Sequence, residues 1–376
     1  MKKIAIISLS DLSRDPRVFR QILALKDKYE LITAGLVPSE IEEFPFFKLQ
    51  YNGERIYQRA LPMIISKKYD EFYWNYSNFK ELGYFLHKHK PDIIIANDIE
   101  MLPIALEYKE KTKILFDAHE YAPLEFEDSF LFNLFFKKYK TYLVKKYVPD
   151  VDKMITVSKG IADKYQKDTG ITPIVITNAP KYENIKPYFV NPKKIRLVHH
   201  GVAHPSRNIE LNFKIMKYLN PSIYEFHFYL VSTDERYLKK IKSLASKSNN
   251  ISIHKPVPMQ MLPRTLNQYD LGIFLIPPVN FNYHFTLPNK FFEFIQGRLA
   301  VIIGPSPEMA SYVNEYSLGV VCPNFHPKEV AAAISELTPE KIMEYKNNSD
   351  SAANILSFEE NKKILNQIVE DLIIAR

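Results

Sequence analysis

Four short stretches of this 376-residue sequence combine residue types that can do chemistry. In the first, Leu287-Pro288-Asn289-Lys290 runs straight into an apolar helical segment, Phe291 to Ile295, with Glu293 expected in its first turn. A lysine and free amides at a helix N-terminus suit a diphosphate. A carboxylate such as Glu293 can accept hydrogen bonds from two vicinal hydroxyls, as on a ribose. Arg207, in a loop ahead of another helix, offers a second phosphate contact. Taken singly, Asn289 reads as a helix cap and Glu293 as a complement to the helix dipole; together with Lys290 and Arg207 they read as one site.

In the second stretch, Asp117-Ala118-His119-Glu120 follows an apolar run, so its polar groups reach the end of a strand and are candidates to contact reacting atoms. A lone histidine there is also a common structural hydrogen-bonder. In the third, Ser10 to Asp15 precede a helix whose N-terminus either faces an anion or is capped in the usual way with Pro16 at its first position. Both readings stay open. In the fourth, His254 to Leu262 is a proline-stiffened turn between a strand and a helix. No glycine fingerprint follows the first strand, no Walker pattern occurs, and no Cys or His cluster has metal spacing, which disfavours hydride transfer, P-loop hydrolysis and a metal site.

The elements that must position these residues alternate short β-branched runs with helical-period segments, the signature of βαβ units and parallel sheets. Strands are expected at 4–8, 31–34, 93–96, 114–116, 154–157 and 174–177, with helices at 16–28 and from about 159. The period breaks at 179–194, a plausible linker. The rhythm then restarts with strands at 196–199, 225–231, 251–254, 271–276, 301–303 and 320–322 and helices at 208–218, 235–247, 259–267 and 358–375. The expectation is an α/β protein with two Rossmann-like parallel-sheet domains, 1–186 and 187–357, whose carboxyl edges face a central cleft. A last helix, 358–376, is expected to pack back on the first domain.

Composition fits a folded globular chain, with 46% apolar and 25% charged residues, and excludes disorder or a coiled coil for the whole. Only one cysteine, Cys322, is present, so an intrachain disulfide is ruled out and a reducing, cytoplasmic setting is expected. No apolar run approaches the ~20 residues of a membrane span. The net charge of +7 asks for anionic partners.

The order of segments resembles a known family. Asp15-Pro-Arg-Val-Phe-Arg20, Pro91-Asp-Ile-Ile-Ile-Ala-Asn-Asp98, Phe116-Asp-Ala-His-Glu120, Ile155-Thr-Val-Ser-Lys-Gly160, Thr177-Asn-Ala-Pro180, His200-Gly201 with Arg207, and Leu287-Pro-Asn-Lys-Phe-Phe-Glu293 follow in turn over nearly the full length. This is similar to nucleotide-sugar glycosyltransferases of the GT-B fold, nearest to the retaining family 4. The resemblance implies metal-independent transfer of a sugar, with retention, from a nucleotide diphosphate-sugar (UDP slightly favoured over GDP) to a glycan or lipid-linked glycan acceptor, as in bacterial surface polysaccharide synthesis. It places Gly201, Arg207, Pro258, Met259, Leu287, Pro288, Asn289, Lys290 and Glu293 at the donor. His119 would lie beside the donor sugar, with Glu120 a further catalytic candidate, and Ser10, Arg14, Arg17 and Asp98 on the acceptor side. No cofactor is implied. The pattern departs at Phe285, where the family commonly has a first glutamate; His284 or Asn282 are the candidates to replace it.

Phe130 to Tyr147 mixes aromatics and aliphatics with five lysines at near-helical spacing. It reads either as a helix lying on an anionic membrane face, with the protein then peripheral at the inner face of the cell membrane, or as a core helix with a solvated lysine face. Tyr69 to Lys90, with the sole Trp74, is a second aromatic-basic stretch that would line an acceptor or touch a membrane. Nucleic-acid binding is disfavoured because basic residues are scattered and no recognition motif occurs. The alternatives to a transferase are a catalytically silent nucleotide-sugar-binding or partner subunit, and an epimerase or hydrolase on the same fold.

Overall fold

The computed structural model describes residues 1–41, 43–50, 61–232 and 234–375. The chain forms two compact units. The first comprises Met1–Asn178, Val279–Phe285 and Asn361–Arg376, and the second Ala179–Pro278 and Thr286–Glu360. The unit break thus falls at Asn178, where the apolar run of the last first-unit strand has ended, rather than within the linker at 186.

The first unit holds β1 (Lys3–Ser8), β2 (Glu30–Gly35), β3 (Phe46–Lys48), β4 (Ile93–Asn97), β5 (Lys113–Ala118), β6 (Lys153–Thr156) and β7 (Ile174–Val175). They pair in the order β3-β2-β1-β4-β5-β6-β7, every pair parallel. A parallel strand covered on both faces has no solvent side, so it reads as a continuous apolar run. Ile93-Ile94-Ile95-Ala96 of β4, buried along its whole length, is such a run. The three-residue β3 was not expected, because an edge strand that short carries no legible period.

The second unit holds β8 (Ile195–Ala203), β9 (Tyr224–Ser232), β10 (Ile251–His254), β11 (Leu271–Phe274), β12 (Ala300–Ile303) and β13 (Gly319–Val321), in the parallel order β10-β9-β8-β11-β12-β13. Each sheet therefore reverses its order beside its first strand: between β1 and β4 in one unit, between β8 and β11 in the other. Open α/β sheets bind ligands outside the carboxyl ends of the strands at such a switch point, because the loops diverge there. The segments after β1, β4 and β5 in the first unit, and those after β8, β10 and β11 in the second, carry the sequence candidates.

Two aromatic stretches resolve differently from each other. The helix Lys137–Tyr147 turns Tyr139, Leu143 and Val144 into the first-unit core. Its Lys140 is buried, and its Lys146 is bound by Asp70 at 2.8 Å. The core-packing reading therefore describes this helix. The exposed apolar residues lie just before it, at Phe130 (77% exposed), Leu131 (63%) and Leu134 (52%), around a π-helical turn, Phe132–Phe136. Tyr69 to Lys90 forms the helices Tyr69–Trp74 and Phe79–His89. Trp74 packs edge-on to Tyr73 at 5.1 Å, on the core rather than as an open sugar platform. No described helix is long and apolar enough to cross a membrane.

Candidate active site

In the second unit the site grows from the end of β8. Gly201 has φ +116°, a conformation that disfavours a side chain, and a Cβ added there would overlap the end of the Lys290 side chain. The backbone thus favours glycine here, and its bare Cα leaves the space that the end of the Lys290 side chain takes. The Lys290 ammonium lies 5.5 Å from the Phe274 ring centre. Its pKa is lowered to about 8, first by desolvation and then by Arg207, with Glu293 opposing. Arg207 thus adds to the cost of charge on the Lys290 ammonium, and a bound anion would relieve that repulsion.

Lys290 sits in the first turn of the helix Asn289–Gln296. Its N-cap is Pro288, and no side chain caps it. Asn289 is the first helical residue, so the capping role considered for it does not apply. Glu293 falls beyond the first turn, one turn later than expected, because Asn289 and not Glu293's own turn opens the helix. Glu293 is 7% exposed and approaches His200 Nε2 at 3.5 Å. Burial and Lys290 hold His200 well below the usual histidine range, so this is a neutral imidazole beside a carboxylate, not an ion pair. His199 Nδ1 meets Ile273 O at 3.0 Å, and desolvation lowers its pKa to about 3.

The turn after β10 is extended at Pro258 and then forms a short 3-10 turn, Met259–Met261. Met259 is 40% exposed and Leu287 is buried. His254, at the end of β10, stacks on His227 and Tyr229, with His227 Nδ1 and His254 Nε2 2.9 Å apart. An aromatic stack thus stands at the end of β10, where the turn carrying the donor candidates Pro258 and Met259 begins.

The first unit carries a separate polar network. Asp117, at the end of β5 and fully buried, is clasped by Arg17 through Nε and Nη2, each at 2.7 Å. Arg17 Nη1 also donates to Ile176 O at 2.9 Å. These contacts of Arg17, the acceptor-side candidate, tie the helix Pro16–Leu25 to the end of β5 and to the chain beyond β7. Gln21 Nε2 bridges Asp117 and Asn97 at 2.5 and 2.8 Å. His119 Nε2 is 3.2 Å from Asn97 Oδ1, and its Nδ1 is 3.3 Å from Asp98 Oδ2. Asp98 has φ +63°, which turns its carboxylate back to accept the His119 amide at 3.3 Å. Its pKa is raised by desolvation, against the opposing pull of His119.

Glu120 is exposed beside this network. Asp15 caps the helix Pro16–Leu25, accepting from the Arg17 and Val18 amides at 3.0 and 3.3 Å. These amides are therefore occupied, and the capped reading describes this helix start. Ser10 bonds to Ser8 at 2.8 Å, and the Arg14 side chain is 86% exposed beside Asp11. At the departing position, Phe285 lies on Gly160, where a Cβ would overlap its ring. Asn282 spends its amide on Tyr121 N (2.8 Å) and on Glu120 (3.3 Å). His284 is exposed.

The sequence did not single out Gln21 or Asn97, the links between Asp117 and His119. Gln21 stands four residues after Arg17, on the same helix face, which is the signal that would have found it. Among the described residues no group of three or more His, Cys, Asp or Glu side chains could hold a metal ion.

Residues 29–180 match the family model described as Glycosyltransferase Family 4. Sucrose-phosphate synthase of Thermosynechococcus elongatus superposes with TM-score 0.75 at 12% identity, over the whole of both chains. A glycosyltransferase of Rickettsia africae gives 0.70 at 12% identity, over 99% of this chain and 98% of its own. Anabaena HepE in complex with UDP-glucose gives 0.71 at 12% identity, over 99% of this chain and 100% of its own. No curated protein sequence matches. At such identities the likeness to solved structures speaks for the fold.

Proposed function

We propose that this chain, which has the GT-B glycosyltransferase fold and matches the glycosyltransferase family 4 model over residues 29–180, transfers a sugar from a nucleotide diphosphate-sugar to a glycan or lipid-linked glycan acceptor. The observation that carries the reading is Lys290 in the first turn of a helix that no side chain caps, with its ammonium against Gly201, Arg207 acting on its charge, and the buried carboxylate Glu293 farther along the same helix. That set matches a diphosphate followed by a ribose diol. UDP is the favoured nucleotide, supported by analogy of fold with the UDP-glucose complex of HepE.

The hard step is departure of the nucleoside diphosphate while positive charge develops at the anomeric carbon. Lys290, Arg207 and the helix amides stabilise the leaving diphosphate without a metal ion. In a retaining, front-face course the acceptor hydroxyl oxygen bonds to the anomeric carbon as the carbon–phosphate oxygen bond breaks. The hydroxyl proton passes to the departing phosphate oxygen, so no enzymatic base is required. His119, fixed by Asn97 and Asp98, orients the sugar and its acceptor; Glu120 would serve as base only in an inverting course.

Thermal-shift measurements with UDP, GDP, CDP and dTDP should give one clear stabilisation, by about 2.7 kcal/mol at a hundredfold excess over Kd. Lys290→Ala and Glu293→Ala should abolish it. Silence with all four nucleotides would remove the donor assignment. Turnover of the bound UDP-sugar with an acceptor panel then separates a transferase from a binding subunit. The packing of Phe285 on Gly160, where the family commonly has an acid, is what favours the binding subunit as second reading. Attachment to an anionic membrane belongs to the exposed Phe130, Leu131 and Leu134 rather than to the lysine helix, and liposome flotation tests it.

A further inference from the structure

The first unit contains two cavities that share a wall. One, of about 210 Å³, is lined by Asp98, Glu100, His119, Glu120, Glu125 and Lys140. The other, of about 530 Å³, is lined chiefly by Phe72, Tyr76, Phe126, Phe132, Phe136 and Tyr139. Glu100, Glu125 and Lys140 line both. The wall is polar and internally satisfied: the Lys140 ammonium is bound by Glu100 and lies 3.4 Å from Glu125. The smaller cavity thus presents four carboxyl groups, of Asp98, Glu100, Glu120 and Glu125, against the one Lys140 ammonium.

Chemistry changes abruptly from one cavity to the other. The π-helical turn Phe132–Phe136 supplies Phe132 and Phe136 to the lining of the aromatic cavity, and such turns recur at functional sites. Its mouth is apolar, since Phe126 is 54% and Leu131 63% exposed. An apolar ligand surface is what such walls bind, aided by ring stacking. Burial raises the pKa of Asp98 and Glu125, but the carboxyl groups still outnumber the Lys140 ammonium, and this acidic excess disfavours a phosphate or carboxylate and accepts hydrogen bonds from hydroxyl or ammonium groups.

Resting on the transferase reading above, we propose that the acceptor is an amphiphile. Its hydroxyl-bearing, uncharged or cationic head lies in the pocket beside His119, and its alkyl or aryl aglycone, joined without an intervening phosphate, fills the aromatic cavity. This narrows the acceptor class: a glycan linked to its lipid through pyrophosphate would place its charge against the carboxylates.

Titration calorimetry of the intact chain without donor tests this, using methyl, hexyl and octyl glucosides below micelle formation, octyl phosphate, and UDP in parallel. Affinity should rise about four-fold per methylene between hexyl and octyl until the cavity is filled. Methyl glucoside should show no comparable binding, and octyl phosphate should bind at least ten-fold more weakly than octyl glucoside. Phe126→Asp with Leu131→Asp, both at the exposed mouth, should weaken octyl glucoside at least ten-fold and leave UDP affinity unchanged. Equal binding of methyl and octyl glucoside, parity of octyl phosphate, or indifference to the double substitution would each overturn the assignment. UDP binding without tail dependence overturns the cavity and keeps the transferase. Tail-dependent binding without UDP binding keeps the amphiphile site and removes the transferase.

Discussion

An ammonium whose pKa is lowered to about 8, as at Lys290, makes donor binding sensitive to pH in an ordinary assay range. A diphosphate binds the protonated lysine, so the charged form is complete well below pH 8 and is lost as pH rises through it. UDP affinity should be level up to about pH 7 and then fall, approaching ten-fold per pH unit above 8. The ligand-free protein moves the opposite way: between about 8 and the ordinary 10.5 the unfolded chain binds the proton more readily, so this residue's contribution to stability improves with pH. Calorimetry with UDP from pH 6.5 to 9.5 checks the sign, and a flat profile would remove Lys290 from the diphosphate. In the first unit, Asp117→Asn leaves the Arg17 guanidinium buried with a neutral partner. A loss of about 3 kcal/mol or more in denaturant unfolding is expected, with UDP affinity unchanged. These residues differ in how far the sequence exposed them. Lys290 and Glu293 share one short helix with the proline that starts it, so local pattern sufficed. Arg17 and Asp117 are a hundred residues apart, and only the pairing of β1, β4 and β5 brings them together.

At the scale of elements, twelve of the thirteen strands among the described residues follow from apolar runs, because buried parallel strands have nothing else to display. What stayed hidden had no period to show: the edge strand β3, the π-helical turn Phe132–Phe136, and the backward turn at Asp98. Aromatic residues at helical spacing before Lys137 predict only an ordinary helix; the wider turn depends on what packs beneath. The start of the helix Pro16–Leu25 was legible in both its readings, and the structure selects the cap. Asp15→Ala should therefore cost about 1 kcal/mol, read as a lower melting point of the first unit, with no change in UDP affinity. Substitution without loss of stability, but with weakened substrate binding, would restore the anion reading for that loop.

At the scale of the whole molecule, the chain leaves its first unit at Asn178 and returns to it twice, at Val279–Phe285 and from Asn361 onward. The final helix, Phe358–Ile374, buries Leu365, Ile368, Val369 and Leu372. It is tied to the end of the helix Pro16–Leu25 by Asn366 Nδ2 to Ala24 O at 3.4 Å and by the Lys28–Glu370 ion pair at 3.3 Å. Four buried aliphatic side chains at about 1.5 to 3 kcal/mol each amount to roughly 6 to 12 kcal/mol, an upper bound that is as large as the net stability of a typical domain. A chain ending at Glu360 should therefore lose the folded first unit, although the donor candidates Arg207, Lys290 and Glu293 all belong to the second unit. The second unit keeps β8, Arg207, Lys290 and Glu293 entire, so the truncated chain should still show a UDP-dependent rise in its remaining thermal transition. Differential scanning calorimetry of both chains, with and without UDP, decides this. A truncated chain that melts like the full one would show that the last helix is dispensable, and loss of the UDP response with the helix would show that the second unit does not hold its site alone.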